Sequence, residues 1–180
     1  MKIRETKIKD LLIIYPDVHP DERGYFFESY QKEKFRELGI DVDFIQDNES
    51  MSMKGVLRGL HLQVPPFAQG KLVRVVRGSV LDVAVDLRKN SETYGKWESV
   101  VLSEENKLML YIPEGFAHGF LVLEDSTVFQ YKCTNYYNRE SERGIIWNDP
   151  DLNIDWGIDN PVVSEKDLEG LSFREFNSPF

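Results

Sequence analysis

Cysteine is nearly absent from this 180-residue chain, which has only Cys133. A single thiol excludes an intramolecular disulfide framework, so the chain must be held by a packed core, and a reducing compartment suits it. Within "TVFQYKCTNYY" that thiol reads as buried and inert rather than nucleophilic. Histidine is also scarce, with three residues, which limits any nitrogen-ligated metal centre from the outset. Basic residues fall short of acidic ones, 22 against 31, for a formal net charge of -9. Such a surface repels a phosphate backbone or an anionic membrane on average, so neither nucleic acid nor membrane is an expected partner. Arg23, Arg58 and Lys71 remain candidates for holding a small anion. Long hydrophobic runs are lacking as well. Charges interrupt every apolar stretch of "MKIRETKIKDLLII", which reads as neither a secretion signal nor a membrane anchor, and no later segment approaches spanning length. The cytoplasm is the expected location.

What is present is a globular composition, 41% hydrophobic and 12% aromatic, on a chain long enough for one substantial core. No repeat, low-complexity tract or linker divides it, so residues 1–180 are read as a single domain. From Gly55 to Tyr137 the text runs as strands with brief turns: "GVLRGLHLQ", "KLVRVV", "SVLDVAVDL", "KWESVVL", "NKLMLYI", "AHGFLVL" and "TVFQYKC". This spacing predicts an antiparallel sandwich or barrel. Helical material is confined to "YQKEKFREL", with Ser29 as a candidate N-cap and Gly39 past its end, and to "SEKD", where Ser164 and Asp167 have capping-box spacing.

Strand parity says which side chains can meet. With period two, His118, Phe120 and Val122 share one face, as do Phe129, Tyr131 and Cys133, and Lys71 lies with Val73 and Val75. If these faces line the interior, His118, Tyr131 and Lys71 reach a common cavity, where an amine needs a partner or a ligand. Strict alternation, however, sets Arg58 and His61 on opposite faces. Gly59 between them is a candidate bulge that would bring both to one side.

The segment "PEGFAH" has the P-x-G-x-x-H form of the second cupin signature, which delivers His118 onto an inward strand. A metal-dependent cupin also needs an H-x-H and a nearby glutamate in its first half. Here His61 is followed two positions later by Gln63, no carboxylate follows at the expected distance, and His19 lies in a polar turn, so no metal ligand set is expected. Inward histidines without a metal suit proton transfer. The other parts such chemistry requires are present as residue types: a carboxylate such as Asp82, Asp86 or Asp167, the Lys71 amine, and the phenol of Tyr131 or Tyr137. Each has a plain structural use too. His118 suits a core position, the tyrosines packing, Asp167 a helix cap, and Asp86 with Arg88 and Ser91 a strand-ending turn.

Taken together, "DERGYFFESY", "FIQDNESMSMKGVLRGLHLQ", "AQGKLVRVVRG", "VDLRKNSETYGKW", "IPEGFAHGFLVL", "YKCTNYY", "RGIIWNDPDLNIDW" and "SEKD" make the chain resemble the dTDP-4-dehydrorhamnose 3,5-epimerase family over nearly its whole length. The resemblance implies a mainly all-β, cupin-type jelly-roll with a few short peripheral helices, usually a homodimer, needing no metal or organic cofactor. It implies inversion of C3 and C5 of a dTDP-4-keto-6-deoxysugar. It makes His61 the base, Asp167 its paired carboxylate, Lys71 the group at the C4 oxygen, Tyr131 the acid on the opposite face and Tyr137 the aromatic that stacks on thymine. Binding positions follow at Arg23, Phe26, Glu28, Gln46, Asn48, Arg58, His118, Glu142 and Lys166. Family dimers exchange N-terminal strands, so that one site draws on both subunits. The family's common Trp-Pro is Trp156-Gly157 here, which puts that turn in question. Competing readings are a C3-only or other nucleotide 4-keto-sugar epimerase, a metal-dependent cupin and a non-catalytic sugar-binding cupin.

Overall fold

Residues 1–180 are described by a computed structural model. The chain opens with β1 (Lys2–Glu5), β2 (Leu12–Tyr15), the short hairpin β3 (His19–Asp21) and β4 (Gly24–Phe26), and helix α1 (Lys32–Glu37). The body is β5 (Gln46–Ser52), β6 (Leu57–Gln63), β7 (Lys71–Arg77), β8 (Ser79–Asp86), β9 (Trp97–Ser103), β10 (Met109–Ile112), β11 (Phe116–Val122) and β12 (Thr127–Cys133). It closes with β13 (Glu142–Gly144) and α2 (Glu165–Leu168).

The strands pair antiparallel into a six-stranded sheet, β1-β2-β10-β7-β12-β5, and a five-stranded sheet, β13-β6-β11-β8-β9. The two sheets form the jelly-roll expected of the sequence, and their facing sides enclose the main core. Val73 and Val75 of β7, Phe129 of β12, Val80 and Ala84 of β8, and Phe116, Phe120 and Val122 of β11 all pack into it. Parity therefore places the inward residues as the sequence predicts.

A second core covers the outer face of the five-stranded sheet. Leu57, Leu60 and Leu62 of β6, Val83 and Val85 of β8, and Ala117 and Leu121 of β11 pack there against Leu152, Trp156 and Phe176 of the C-terminal segment. This explains why β11 is buried along its whole length and β8 along nearly all of it. Strands covered on both faces read as continuous apolar runs, so their two sides cannot be told apart by hydrophobicity.

Several local expectations need correction. Helix α1 is capped by Gln31, whose side chain accepts from the Lys34 N–H, and not by Ser29. His19 begins β3 rather than lying in a turn. β1 to β5 and β13 were not visible as strands. β5 shows why: burial alternates along "QDNESMS", but its inward side chains Gln46, Asn48, Ser50 and Ser52 are polar, so the period-two signal is absent from hydropathy. Trp156 is buried, with its indole N–H on the Trp147 carbonyl, and Gly157 adopts a φ of +69°, a conformation closed to proline.

Candidate active site

The cavity between the sheets is built around one irregularity in β6. Leu57, Leu60 and Leu62 all point to the outer core, whereas Arg58 and His61 line the cavity, so the in–out alternation slips at Gly59. The pairing confirms the slip: His118 of β11 lies opposite His61, but Phe120 lies opposite Arg58. Gly59 takes a φ of +126°, and a Cβ there would fall 2.5 Å from the Gly119 Cα. Two facing glycines let β6 and β11 approach closely enough to bring Arg58 and His61 to one side.

About 530 Å³ is enclosed by Arg58, His61, Lys71, His118, Tyr131, Glu142, Lys166 and Asp167, together with Ser50, Phe120, Phe129 and the Val162–Ser164 segment. An adjoining lobe of about 160 Å³ adds Gln46, Asn48, Cys133 and Tyr137 while sharing His61, Lys71, Tyr131 and Glu142. Eleven of the fourteen expected site residues thus converge. Arg23, Phe26 and Glu28 do not. They lie on or beside the β3–β4 hairpin, where Arg23 pairs with Asp21 and Glu28 with Lys34, and Phe26 is 68% exposed. Within one chain they reach no part of the cavity.

His61 Nε2 lies 2.6 Å from Asp167 Oδ1. The carboxylate only accepts, so the imidazole proton sits on Nε2 and the Nδ1 lone pair is left for another proton. Asp167 also accepts from the Gly59 N–H at 3.3 Å, so the bulge helps to hold the pair it creates. Burial pushes the Asp167 carboxyl up, but the hydrogen bond and charge of His61, with bonds from Gly59 and Ser164, outweigh this and hold it below its ordinary value. The helix cap is made by Ser164 Oγ accepting from the Asp167 N–H at 3.2 Å, which frees the Asp167 carboxylate for the histidine.

A second histidine–carboxylate pair lies deeper. His118 Nε2 is 2.9 Å from Asp82 Oδ2, both buried, and its ring stacks on Phe129. Burial pushes the His118 pKa down, and although Asp82 opposes this, Lys71 and His61 add to it, so the imidazole is neutral. Lys71 projects from the wall formed by β7, opposite Cys133 of β12. Desolvation pushes its amine down, against weaker opposing effects from Cys133, Asp82 and Glu142. Burial likewise raises the Tyr131 phenol, which therefore keeps its proton near neutral pH, with Arg58 drawing the other way.

The mouth carries the remaining charges. Lys166 Nζ donates to Glu142 Oε1 at 2.6 Å and the Tyr137 hydroxyl to Oε2 at 2.9 Å. Burial raises the Glu142 carboxyl, but Lys166, Tyr137 and the nearby His61 hold it below its usual range. Arg58 spends its Nε and Nη2 protons on Ser52 Oγ, an uncharged partner, which leaves its charge available to an anion. The other candidate carboxylate, Asp86, ends β8 and organises the turn that follows, bound by Arg88, Ser91 and Thr93. No three His, Cys, Asp or Glu side chains cluster as metal ligands would. Sequence reading missed Gly119 and Gly170, whose roles lie in close backbone approaches that leave no pattern in hydropathy.

A jelly-roll whose cavity sets a carboxylate-bound imidazole, a desolvated amine and a phenol around one space has the parts that side-chain proton transfer requires. Comparison with known proteins narrows this. The family model for dTDP-4-dehydrorhamnose 3,5-epimerase matches residues 5–175. A dTDP-4-dehydrorhamnose 3,5-epimerase of Shigella flexneri is 56% identical over 174 residues, 96% of each chain. One of Methanothermobacter thermautotrophicus is 54% identical over 174 residues, covering 95% of this chain and 94% of its own. The crystal structure of the Legionella pneumophila dTDP-6-deoxy-D-glucose-3,5-epimerase in complex with dTDP-4-keto-L-rhamnose superposes with a TM-score of 0.94 at 50% identity, covering 98% of this chain and 94% of that one. The chain belongs to the dTDP-4-dehydrorhamnose 3,5-epimerase family.

Proposed function

We propose that this protein converts dTDP-4-dehydro-6-deoxy-D-glucose to dTDP-4-dehydro-L-rhamnose by inverting C3 and C5. Substrate and product are isomers, so no electrons or groups need be supplied and the reaction calls for no cofactor. Both carbons lie beside the C4 ketone. His61 Nδ1 removes the proton at either one, and the electrons pass into an enolate whose charge rests on the C4 oxygen. Lys71 donates to that oxygen. One electrophile serves both inversions because the same oxygen carries the charge each time. Tyr131 returns a proton from the opposite face, completing the inversion; solvent then reprotonates the phenolate and takes the proton from His61, which restores both groups.

The observation that carries this reading is the placement of the His61–Asp167 pair, Lys71 and Tyr131 around one cavity. Arg58 and Lys166 suit the pyrophosphate, with Gln46, Asn48, His118 and Glu142 as further binding positions and Tyr137 at the base. The partner subunit's Arg23, the partner subunit's Phe26 and the partner subunit's Glu28 complete the binding set in a homodimer. Isolation of these residues from the cavity of their own chain supports that arrangement. The acidic net charge of -9 and the single buried cysteine suit a cytoplasmic enzyme acting on neither nucleic acid nor membrane.

Deuterium incorporation tests the proposal. In heavy water with dTDP-4-dehydro-6-deoxy-D-glucose, NMR should show exchange at both C3 and C5, with an L-configured product. Exchange confined to C3 would replace the proposal by a single-site epimerase, and exchange at neither carbon by a binding protein.

A further inference from the structure

Asp167 rides on a helix of four residues, Glu165–Leu168, too short to fix its own position. What fixes it is the strap on which the helix sits. At one end Val162 forms a parallel bridge to Val56, with Val162 N–H donating to the Gly55 carbonyl at 2.8 Å and Leu57 N–H donating to the Val162 carbonyl at 2.9 Å. At the other end Leu171 bridges Ile145 in the same way, its N–H on the Gly144 carbonyl at 2.9 Å and its carbonyl taking the Ile146 N–H at 3.0 Å. Both anchors lie next to the imidazole's own strand: Gly55 and Leu57 lead into His61 along β6, and Gly144 of β13 lies opposite His61 in the β13–β6 register. The strap thus runs along the edge of β6 that faces away from β11, bound at one end to β6 itself and at the other to the segment paired with it, and hangs Asp167 over the strand.

The second clasp closes only because residue 170 is glycine. A Cβ there would lie 2.9 Å from the Ile145 carbonyl carbon and 2.9 Å from the Ile146 nitrogen, both backbone atoms that cannot rotate away. We propose that Gly170 is a positioning residue for the catalytic pair, setting through the Val162–Leu171 strap the depth at which the Asp167 carboxylate meets His61. This inference rests on the reading of His61 as the base.

Gly170→Ala must lift the clasp and with it the carboxylate. With the carboxylate displaced, the plateau of kcat falls about 10- to 100-fold through misplacement of the base. KM rises as well, because Lys166 lies beside Asp167 on the same helix and moves with it. A loss of folded protein lowers kcat only by the fraction unfolded, which circular dichroism reads on the same sample. The control is Gly157→Ala, at a position with positive φ but nothing within 4 Å of an added Cβ, which should keep the wild-type kcat.

Proton NMR supplies an independent reading. The downfield imidazole N–H that His61→Asn removes should also vanish in Asp167→Asn and move upfield in Gly170→Ala, while that of His118 on Asp82 stays in place. A signal unaffected by Asp167→Asn overturns the His61–Asp167 reading itself. With that signal established, a Gly170→Ala protein whose resonance and kcat both match wild type overturns the role of Gly170 alone. If Gly170→Ala does not fold, Leu171→Pro decides in the same terms, since it deletes the bond to Gly144 without adding a Cβ at the close approach. An unmoved resonance and kcat in that variant equally overturn the proposal.

Discussion

His61 Nε2 and Asp167 Oδ1 lie 2.6 Å apart although 106 positions separate the two residues in the chain. The contact joins two polar side chains of the cavity, and each partner meets a requirement of the other. Asp167 gains an N–H donor that offsets its burial, and His61 gains a fixed tautomer.

Replacing either partner should therefore remove proton abstraction while sparing the binding surface. His61→Asn and Asp167→Asn are each expected to lower kcat/KM by about 10²- to 10⁴-fold, the usual worth of a positioned general base. Calorimetric titration with dTDP should give an affinity close to that of wild type, since the proposed anion contacts are Arg58 and Lys166. A kcat/KM within a few fold of wild type in His61→Asn would take the base role away from that residue.

Tyr131→Phe separates the two halves of the reaction. In the proposed mechanism the phenol delivers a proton and has no part in removing one, so deuterium exchange at C3 should persist within about tenfold while net inversion falls by about 10² or more. NMR of the same reaction mixture reads both quantities at once. Parallel loss of exchange and inversion would place Tyr131 in abstraction or binding instead.

Asp86 carries a stability prediction away from the cavity. Burial alone would push its carboxyl up, but bonds from Arg88, Ser91 and Thr93 outweigh this and hold it below its ordinary value. A group whose folded pKa is depressed stabilises the fold at every pH above its unfolded value and ceases to do so as pH falls through the folded value. Stability should thus decline below about pH 4. Asp86→Asn leaves Arg88, itself partly exposed, with only Asp10 and the Lys9 carbonyl as partners and should cost about 1–3 kcal/mol at pH 7. It should also flatten the acid decline, as read by urea titrations at pH 7 and pH 3. A variant as stable as wild type at pH 7 would contradict the assignment.

Much of this was legible in the residues. The apolar runs from β6 to β12 fixed the sheets, because each buries at least one full face, and parity placed His118, Lys71 and Tyr131 inward. Parity also exposed its own failure at Arg58 and His61, and the structure resolves that failure with the bulge at Gly59. Less legible was everything that owes its conformation to something other than hydrophobic burial. β5 lines a polar cavity with polar side chains, and β13 is a short edge strand. The strap is held by backbone bonds and a glycine. Roles for individual site residues came from the family resemblance, since residue types and spacing alone left Asp82, Asp86 and Asp167 as equal candidates. Only geometry separates them, by giving Asp82 to His118, Asp86 to a turn and Asp167 to His61.

The isolation of Arg23 yields the sharpest test of a shared site. Arg23 is exposed and bound to Asp21 on its own hairpin, so in a monomer its removal should leave catalysis unchanged. If each site takes His61 from one subunit and Arg23 from the other, Arg23→Ala and His61→Asn are each defective alone but complementary together. Unfolding and refolding an equal mixture distributes the chains at random, so about half of the dimers are mixed, and each of these has one intact site out of two. Activity should then return to about a quarter of the wild-type level per chain, against the far lower level of either variant refolded alone. Size-exclusion chromatography on the same sample checks that dimers have re-formed. Recovery no greater than the sum of the separate variants, in a sample that is dimeric, would confine each site to a single subunit and remove Arg23 from it.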